Sequence, residues 1–174
     1  AHSGVAIEQM PDLLEQVEEE RWVRDAAPEL DGVVGTTPVP TAVVAVCTGD
    51  GIRRIFHSLG VQGVVLGGQT MNPSTAQLLE VVEAVPADAV VILPNNKNII
   101  AVARQVDAET EKTVRVVPTK GAAEGFAALL AYDPKAPADE NAEAMGEAAA
   151  SVIAGEVTRA VRESSSDAGP IHEG

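Results

Sequence analysis

The chain has 174 residues, is 45% hydrophobic but only 2% aromatic, and carries 12 Lys and Arg against 26 Asp and Glu, a formal net charge of −14. That length corresponds to one domain with a real core, and the acidic balance argues against nucleic acid, whose phosphates call for a basic patch. The lone cysteine, Cys47, excludes an internal disulfide and a thiolate metal cluster, and no apolar run approaches the ~20 residues of a membrane helix.

A mean hydropathy of +0.08 marks a globular chain. With so few aromatics the core must be built from Val, Ile, Leu and Ala, and Val and Ile favour strands while Ala favours helices. The N-terminus lacks the basic, apolar and small-residue blocks of a signal peptide, so a soluble cytoplasmic protein is expected. The chain begins at Ala1 and stops at Gly174, which suggests a fragment of a larger protein.

Residues 1–40 read as an acidic lead-in and linker. Leu13, Leu14 and Val17 sit at helical spacing among acidic residues, predicting a helix over about 11–25. Pro28, Gly32, Gly35, Pro38 and Pro40 then forbid further helix. Trp22 is placed to dock this arm on the body or on a neighbouring domain.

Residues 41–174 read as an α/β domain, and 41–133 as successive strand–helix units. The apolar runs 42–47, 64–66, 89–93 and 114–117 each end in small polar or turn-forming residues before a helical pattern. Such a series predicts a parallel sheet of four to five strands flanked by helices, Rossmann-like, preceded by the acidic helical arm. Ile52, Ile55, Phe56 and Leu59 define the inner face of the first helix, closed by Gly60. Leu78, Leu79, Val82 and Val85 line the second, Ile99, Ile100 and Ala103 the third, and Phe126, Leu129 and Leu130 the fourth. A further helix is expected over 141–153, with Asp139 as N-cap and Gly155 as terminator, then a half-exposed strand over 157–162 and a polar loop over 164–169.

In open α/β sheets ligands sit at the carboxyl ends of the strands, so the loops there carry the candidate site. Gly49-Asp50-Gly51 is a partial dinucleotide turn. Arg54 occupies the third glycine position and no acidic residue ends the second strand, so a nicotinamide cofactor is not expected, and no P-loop motif exists. In the second loop Asn72 is read as the helix N-cap, with Pro73, Ser74 and Thr75 opening the helix. Gln69 and Thr70 exceed what a cap needs and are candidates for gripping a carboxylate or phosphate. Asn95 and Asn96 are either turn and cap residues or ligand contacts. Thr119 and Lys120 close the fourth loop, Lys120 being read as the only cation at these loops and either a partner for an anion or simply solvated. His2, His57 and His172 are scattered, so no metal site is expected, and no Ser-His-Asp or Cys-His set assembles a catalytic centre. Cys47 lies on an apolar strand and is read as a buried small hydrophobe rather than a nucleophile.

Gly67-Gly68-Gln69-Thr70-Met71-Asn72-Pro73-Ser74-Thr75, Leu93-Pro94-Asn95-Asn96 with Asn98-Ile99-Ile100, Val117-Pro118-Thr119-Lys120, and Gly155-Glu156-Val157-Thr158 with Ala160-Val161-Arg162 resemble the fatty-acid kinase A-subunit family. The resemblance spans about residues 40–174. It implies a lobe of DegV or dihydroxyacetone-kinase type within a bacterial protein whose N-terminal DAK2 domain binds ATP and magnesium. It further implies a DegV-like partner presenting a bound fatty acid, with an acyl phosphate for phospholipid synthesis as product. Kinase residues are assigned to none of the positions here. One departure is that Ala123-Glu124 precede Gly125 where the family usually carries Pro-Gln before the glycine, which weakens a family-wide binding role for the fourth loop.

The expected function is therefore a non-catalytic α/β domain of such a subunit, serving homodimerisation, docking of the DegV-like partner, or both. The alternatives are a small-molecule module with an acyl or phosphorylated ligand across the loops, and an enzyme using Cys47.

Overall fold

In a computed structural model of the chain, the described residues are 32–33, 37–67, 72–155, 162–166 and 169–173. The acidic helix, Trp22, Gln69, Thr70 and most of the strand expected over 157–162 lie outside them.

The strands of the main sheet are β1 (Gly32–Val33), β2 (Thr41–Cys47), β3 (Gly63–Leu66), β4 (Ala89–Leu93) and β5 (Thr113–Val116), in the order β1-β3-β2-β4-β5. β3, β2, β4 and β5 are mutually parallel, with Cys47 opposite Leu66 and Ala45 opposite Leu93 in register. The two-residue β1 pairs antiparallel with β3 at Gly32 to Val64 and Val33 to Gly63. That pairing extends the sheet into a segment whose prolines and glycines read as linker, because a two-residue edge strand needs no hydrophobic period to form.

The helices are α1 (Asp50–Ser58), α2 (Thr75–Ala84), α3 (Ile100–Gln105), α4 (Ala122–Leu130) and α5 (Ala138–Ala150). A 3₁₀ turn over Val106–Glu109 prolongs α3. Alternate residues of the central strands feed two cores, as a period of two requires. Ala42, Val44, Val46, Val90 and Ile92 pack with Leu78, Val82 and Ala103 of α2 and α3. Val43, Ala45, Cys47, Val91 and Leu93 pack with Phe56, Leu129 and Met145 of α1, α4 and α5. On this second face the Phe56 and Phe126 rings lie 4.9 Å apart.

Several local expectations are corrected. Ile55 and Leu130 fall on the helical stripe but are 46% and 80% exposed, since α1 and α4 each bury a narrower face than the periodicity suggests. Ser74, not Asn72, caps α2: its hydroxyl accepts the Gln77 N–H at 3.3 Å while the Gln77 side chain accepts the Ser74 N–H at 2.9 Å, a reciprocal capping box. Asp139 does not cap α5, which starts after Pro137 and ends at Ala150 rather than near Gly155; Asp139 instead pairs with Arg115. Residues 164–169, read as a loop, contribute β6 (Ser164–Ser166), which pairs antiparallel with β7 (Gly169–Ile171). Among the described residues no helix is long and apolar enough to cross a membrane.

Two polar devices hold the edges. Asn141, 2% exposed, donates to the carbonyls of Asp133 and Ala136 at 2.8 and 3.1 Å and accepts the Asp133 N–H at 2.9 Å, fixing the turn between α4 and α5. Lys112 donates from Nζ to the carbonyls of Val82, Glu83 and Val85 at 2.8, 3.0 and 2.8 Å. It thereby satisfies carbonyls that the end of α2 would leave open.

Candidate functional site

The chain order of the strands decides where a crevice opens. From β2 the chain passes through α1 to β3 on one side, and from β4 it passes through α3 to β5 on the other. Adjacent strands whose connections diverge leave a gap between the loops at their carboxyl ends. A cleft of about 680 Å³ occupies that gap. Its floor is apolar (Val46, Cys47, Ile52, Phe56 and Ile99) and its rim is polar (Thr48, Asn95, Asn96, Lys97, Asn98 and Lys120).

The rim is cross-tied. Asn95 adopts φ 50°, a left-handed conformation that Asn tolerates better than most residues. Its N–H donates to Thr119 Oγ1 at 3.0 Å and its Nδ2 donates to the Val46 carbonyl at 2.9 Å. One residue thus joins the ends of β2, β4 and β5. Its Oδ1 is buried without a hydrogen-bond partner among the described residues and faces Gly125 of α4. Thr48 Oγ1 donates to the Gly67 carbonyl, and the Gly67 N–H donates to the Cys47 carbonyl at 2.9 Å, tying β2 to β3. Gly49 opens α1 with φ 80°, which favours glycine, although a Cβ there would meet nothing within 4 Å.

The sequence-derived candidates divide into three groups. Asn95, Asn96 and Lys120 line the cleft, and Thr119 lies fully buried beneath them as the acceptor for Asn95. Gly49 and Gly51 sit at the start of α1, next to the rim but not in the lining. Asn72, Ser74 and Thr75 lie at the start of α2, where Ser74 caps and Thr75 donates to Gln105 Oε1 at 3.0 Å; none of the three lines the cleft. Lys120 is not the only cation here, because Lys97 also lines the cleft. Thr48 directly follows the apolar run 42–47, whereas Lys97 carries no motif of its own. The signal that finds Lys97 is topological, the divergence at β2 and β4, and needs the strand order.

The chemistry available is limited. Cys47 is 5% exposed, and burial pushes its thiol up to about 11, with Arg53 lowering and Asp50 raising it less strongly. A thiol held protonated at neutral pH is a poor nucleophile. Among the described residues no group of three His, Cys, Asp or Glu is placed to hold a metal ion. His57 turns its Nδ1 to the Val61 carbonyl at 3.2 Å, and its Nε2 has no hydrogen-bond partner among the described residues, so no triad forms there.

Residues 42–174 match the C-terminal domain family of fatty acid kinase A-subunit-like proteins. The chain belongs to that family. It is 42% identical over 135 residues to Protein YloV of Bacillus subtilis, a match covering 78% of this chain and 24% of that protein. It is 40% identical over 129 residues to an uncharacterized protein of Staphylococcus epidermidis, covering 74% of this chain and 23% of the relative. A Staphylococcus haemolyticus protein is 41% identical over 136 residues, with 78% and 25% coverage. The chain therefore spans about a quarter of the length of these relatives. In this fatty acid kinase A-subunit-like C-terminal domain, the nine-residue glycine-to-threonine motif occupies the passage from β3 to α2. Its first residue, Gly67, lines the switch-point cleft, whereas its other described residues, 72–75, do not.

Proposed function

We propose that this chain is the non-catalytic docking domain of a fatty acid kinase subunit, receiving a DegV-like, acyl-carrying partner on the carboxyl edge of its sheet. The observation that carries this reading is the preformed rim: Asn95 binds three strand ends into one surface, while the only thiol beneath it is buried and protonated. A surface held rigid before binding loses little entropy on association. ATP, magnesium and phosphoryl transfer belong, on this reading, to another part of the longer parent polypeptide, and cytoplasmic lipid synthesis is the setting. Light scattering of the chain alone and with a full-length DegV-like protein tests it. Capture of the partner by a monomer is the expected result. A stable homodimer that ignores the partner would replace docking with an assembly role.

A second reading is favoured by the cleft itself. Its volume of about 680 Å³ lies within the ~300–1,000 Å³ of small-molecule sites. Here the domain binds a small acyl or phosphorylated metabolite at the switch point. Thermal stabilisation by such a compound, at concentrations that saturate, supports this reading, because a ligand that binds only the folded state raises its stability.

A further inference from the structure

The switch-point cleft departs in charge from the protein around it. Acidic residues number 26 of 174 and outnumber the basic ones by more than two to one. Yet among the described lining residues none is acidic and two, Lys97 and Lys120, are lysines. Neither ammonium group has an ion-pair or hydrogen-bond partner among the described residues. The carboxylates nearest the lining in sequence are already engaged: Asp50 with Arg53 at 2.9 Å, and Glu124 with the Lys120 backbone N–H at 2.6 Å. Asn96 uses its Oδ1 to accept the Asn98 N–H at 2.9 Å, so the amide nitrogen is the end of that side chain left to donate.

At physiological ionic strength fields decay over ~8 Å. Acidic groups beyond that range therefore do little inside the cleft; of the two nearby carboxylates Asp50 is offset by Arg53, and Lys97 and Lys120 together outweigh the single charge of Glu124. We propose that the cleft binds a phosphate-type dianion, clasped between Lys97 and Lys120. The inference rests on the small-molecule reading above and names its ligand class. A phosphoryl group carries about −1.5 to −2 charges at neutral pH and three acceptor oxygens, which matches two ammonium groups and an amide donor. A carboxylate offers one charge and two oxygens. The dianion comes either as free phosphate or as the phosphoryl end of a larger metabolite.

The experiment is a titration of the ¹⁵N-labelled chain followed by amide shifts, at constant ionic strength and neutral pH. The probes are inorganic phosphate, glycerol phosphate and butyrate. Saturable shifts at residues 95–98 and 120–121 are expected with one or both phosphates. If glycerol phosphate binds more tightly, the source is a phosphorylated metabolite; if inorganic phosphate does, it is the free ion. The double variant Lys97→Gln/Lys120→Gln should bind about tenfold more weakly. Arg104→Gln/Lys135→Gln, which removes the same charge outside the lining, should bind as the parent does. Butyrate binding as well as phosphate would overturn the dianion while leaving the small-molecule reading intact. No saturable binding by any probe would overturn this inference, and so would equal loss in both double variants. Partner capture measured by light scattering is independent of either result, so docking stands or falls separately.

Discussion

Asn95 and Gly125 are in closer contact than any side chain on Gly125 would allow. A Cβ built on Gly125 would lie 2.3 Å from Asn95 Oδ1 and 2.9 Å from Cγ. The missing methyl lets α4 settle directly on the amide that ties β2, β4 and β5 together. Glycine at this position is thus required by space, and its backbone has no need of a left-handed conformation.

Gly125→Ala should destabilise the fold by about 1–3 kcal/mol, the range for overpacking a dense interior. Asn95→Gly keeps the positive φ and removes the obstructing amide, at the loss of the Val46 bond. The alanine should consequently cost less in the Asn95→Gly background than in the parent. Urea denaturation of the four proteins of this cycle measures the coupling. Simple additivity would show that the two residues do not share the contact.

Ser74 and Asn72 provide a direct test of which residue starts α2. Ser74→Ala removes the capping box and should cost about 1 kcal/mol. Asn72 is exposed and outside the helix, so Asn72→Ala should change stability by less than about 0.5 kcal/mol. Thermal melts of the two variants decide the matter. A larger loss at Asn72 would contradict the cap.

Lys112→Met should cost about 2–3 kcal/mol, since it withdraws one charged donor from three carbonyls at the end of α2. The same change at Lys97, whose side chain has no partner among the described residues, should leave the denaturation midpoint nearly unmoved. The contrast separates a lysine that completes a helix terminus from one that faces a cleft. Equal effects would mean that lost charge alone accounts for both.

Fold and site are legible in the sequence to different depths. The parallel order of strand and helix follows from apolar runs such as 42–47 and 89–93 meeting turn residues, because a strand buried on both faces must be apolar throughout. Asn95, Asn96 and Lys120 can be picked out because polar residues directly after such runs must lie at the carboxyl edge. Lys97 is not, since nothing in its neighbours distinguishes a rim lysine from a solvated one. Asn72 and Ser74 are both good caps, and the choice between them depends on Gln77 reaching back. Ile55 and Leu130 fit the helical period, but the period reports which side faces inward and not how much of it a neighbour covers.

Cys47 gives the alkaline behaviour. Its folded pKa is raised, to about 11, principally by burial. A raised folded pKa means that the unfolded thiol ionises first. The native state therefore keeps its full stability below the ordinary thiol pKa of 9.0. It then loses stability as pH rises, until the folded thiol also ionises near 11, a loss of no more than ~3 kcal/mol. Tyr132 is also raised by burial, more than the hydrogen bond from Gln62 lowers it, and adds loss in the same direction. Urea midpoints measured from pH 7 to 11 should fall across this window in the parent and fall less in Cys47→Ala. Alkylation of the thiol at pH 8 should proceed only as fast as the protein unfolds. Rapid labelling of the folded chain, or a Cys47→Ala variant with an undiminished alkaline decline, would show that the thiol is reachable and its ionisation unlinked to folding.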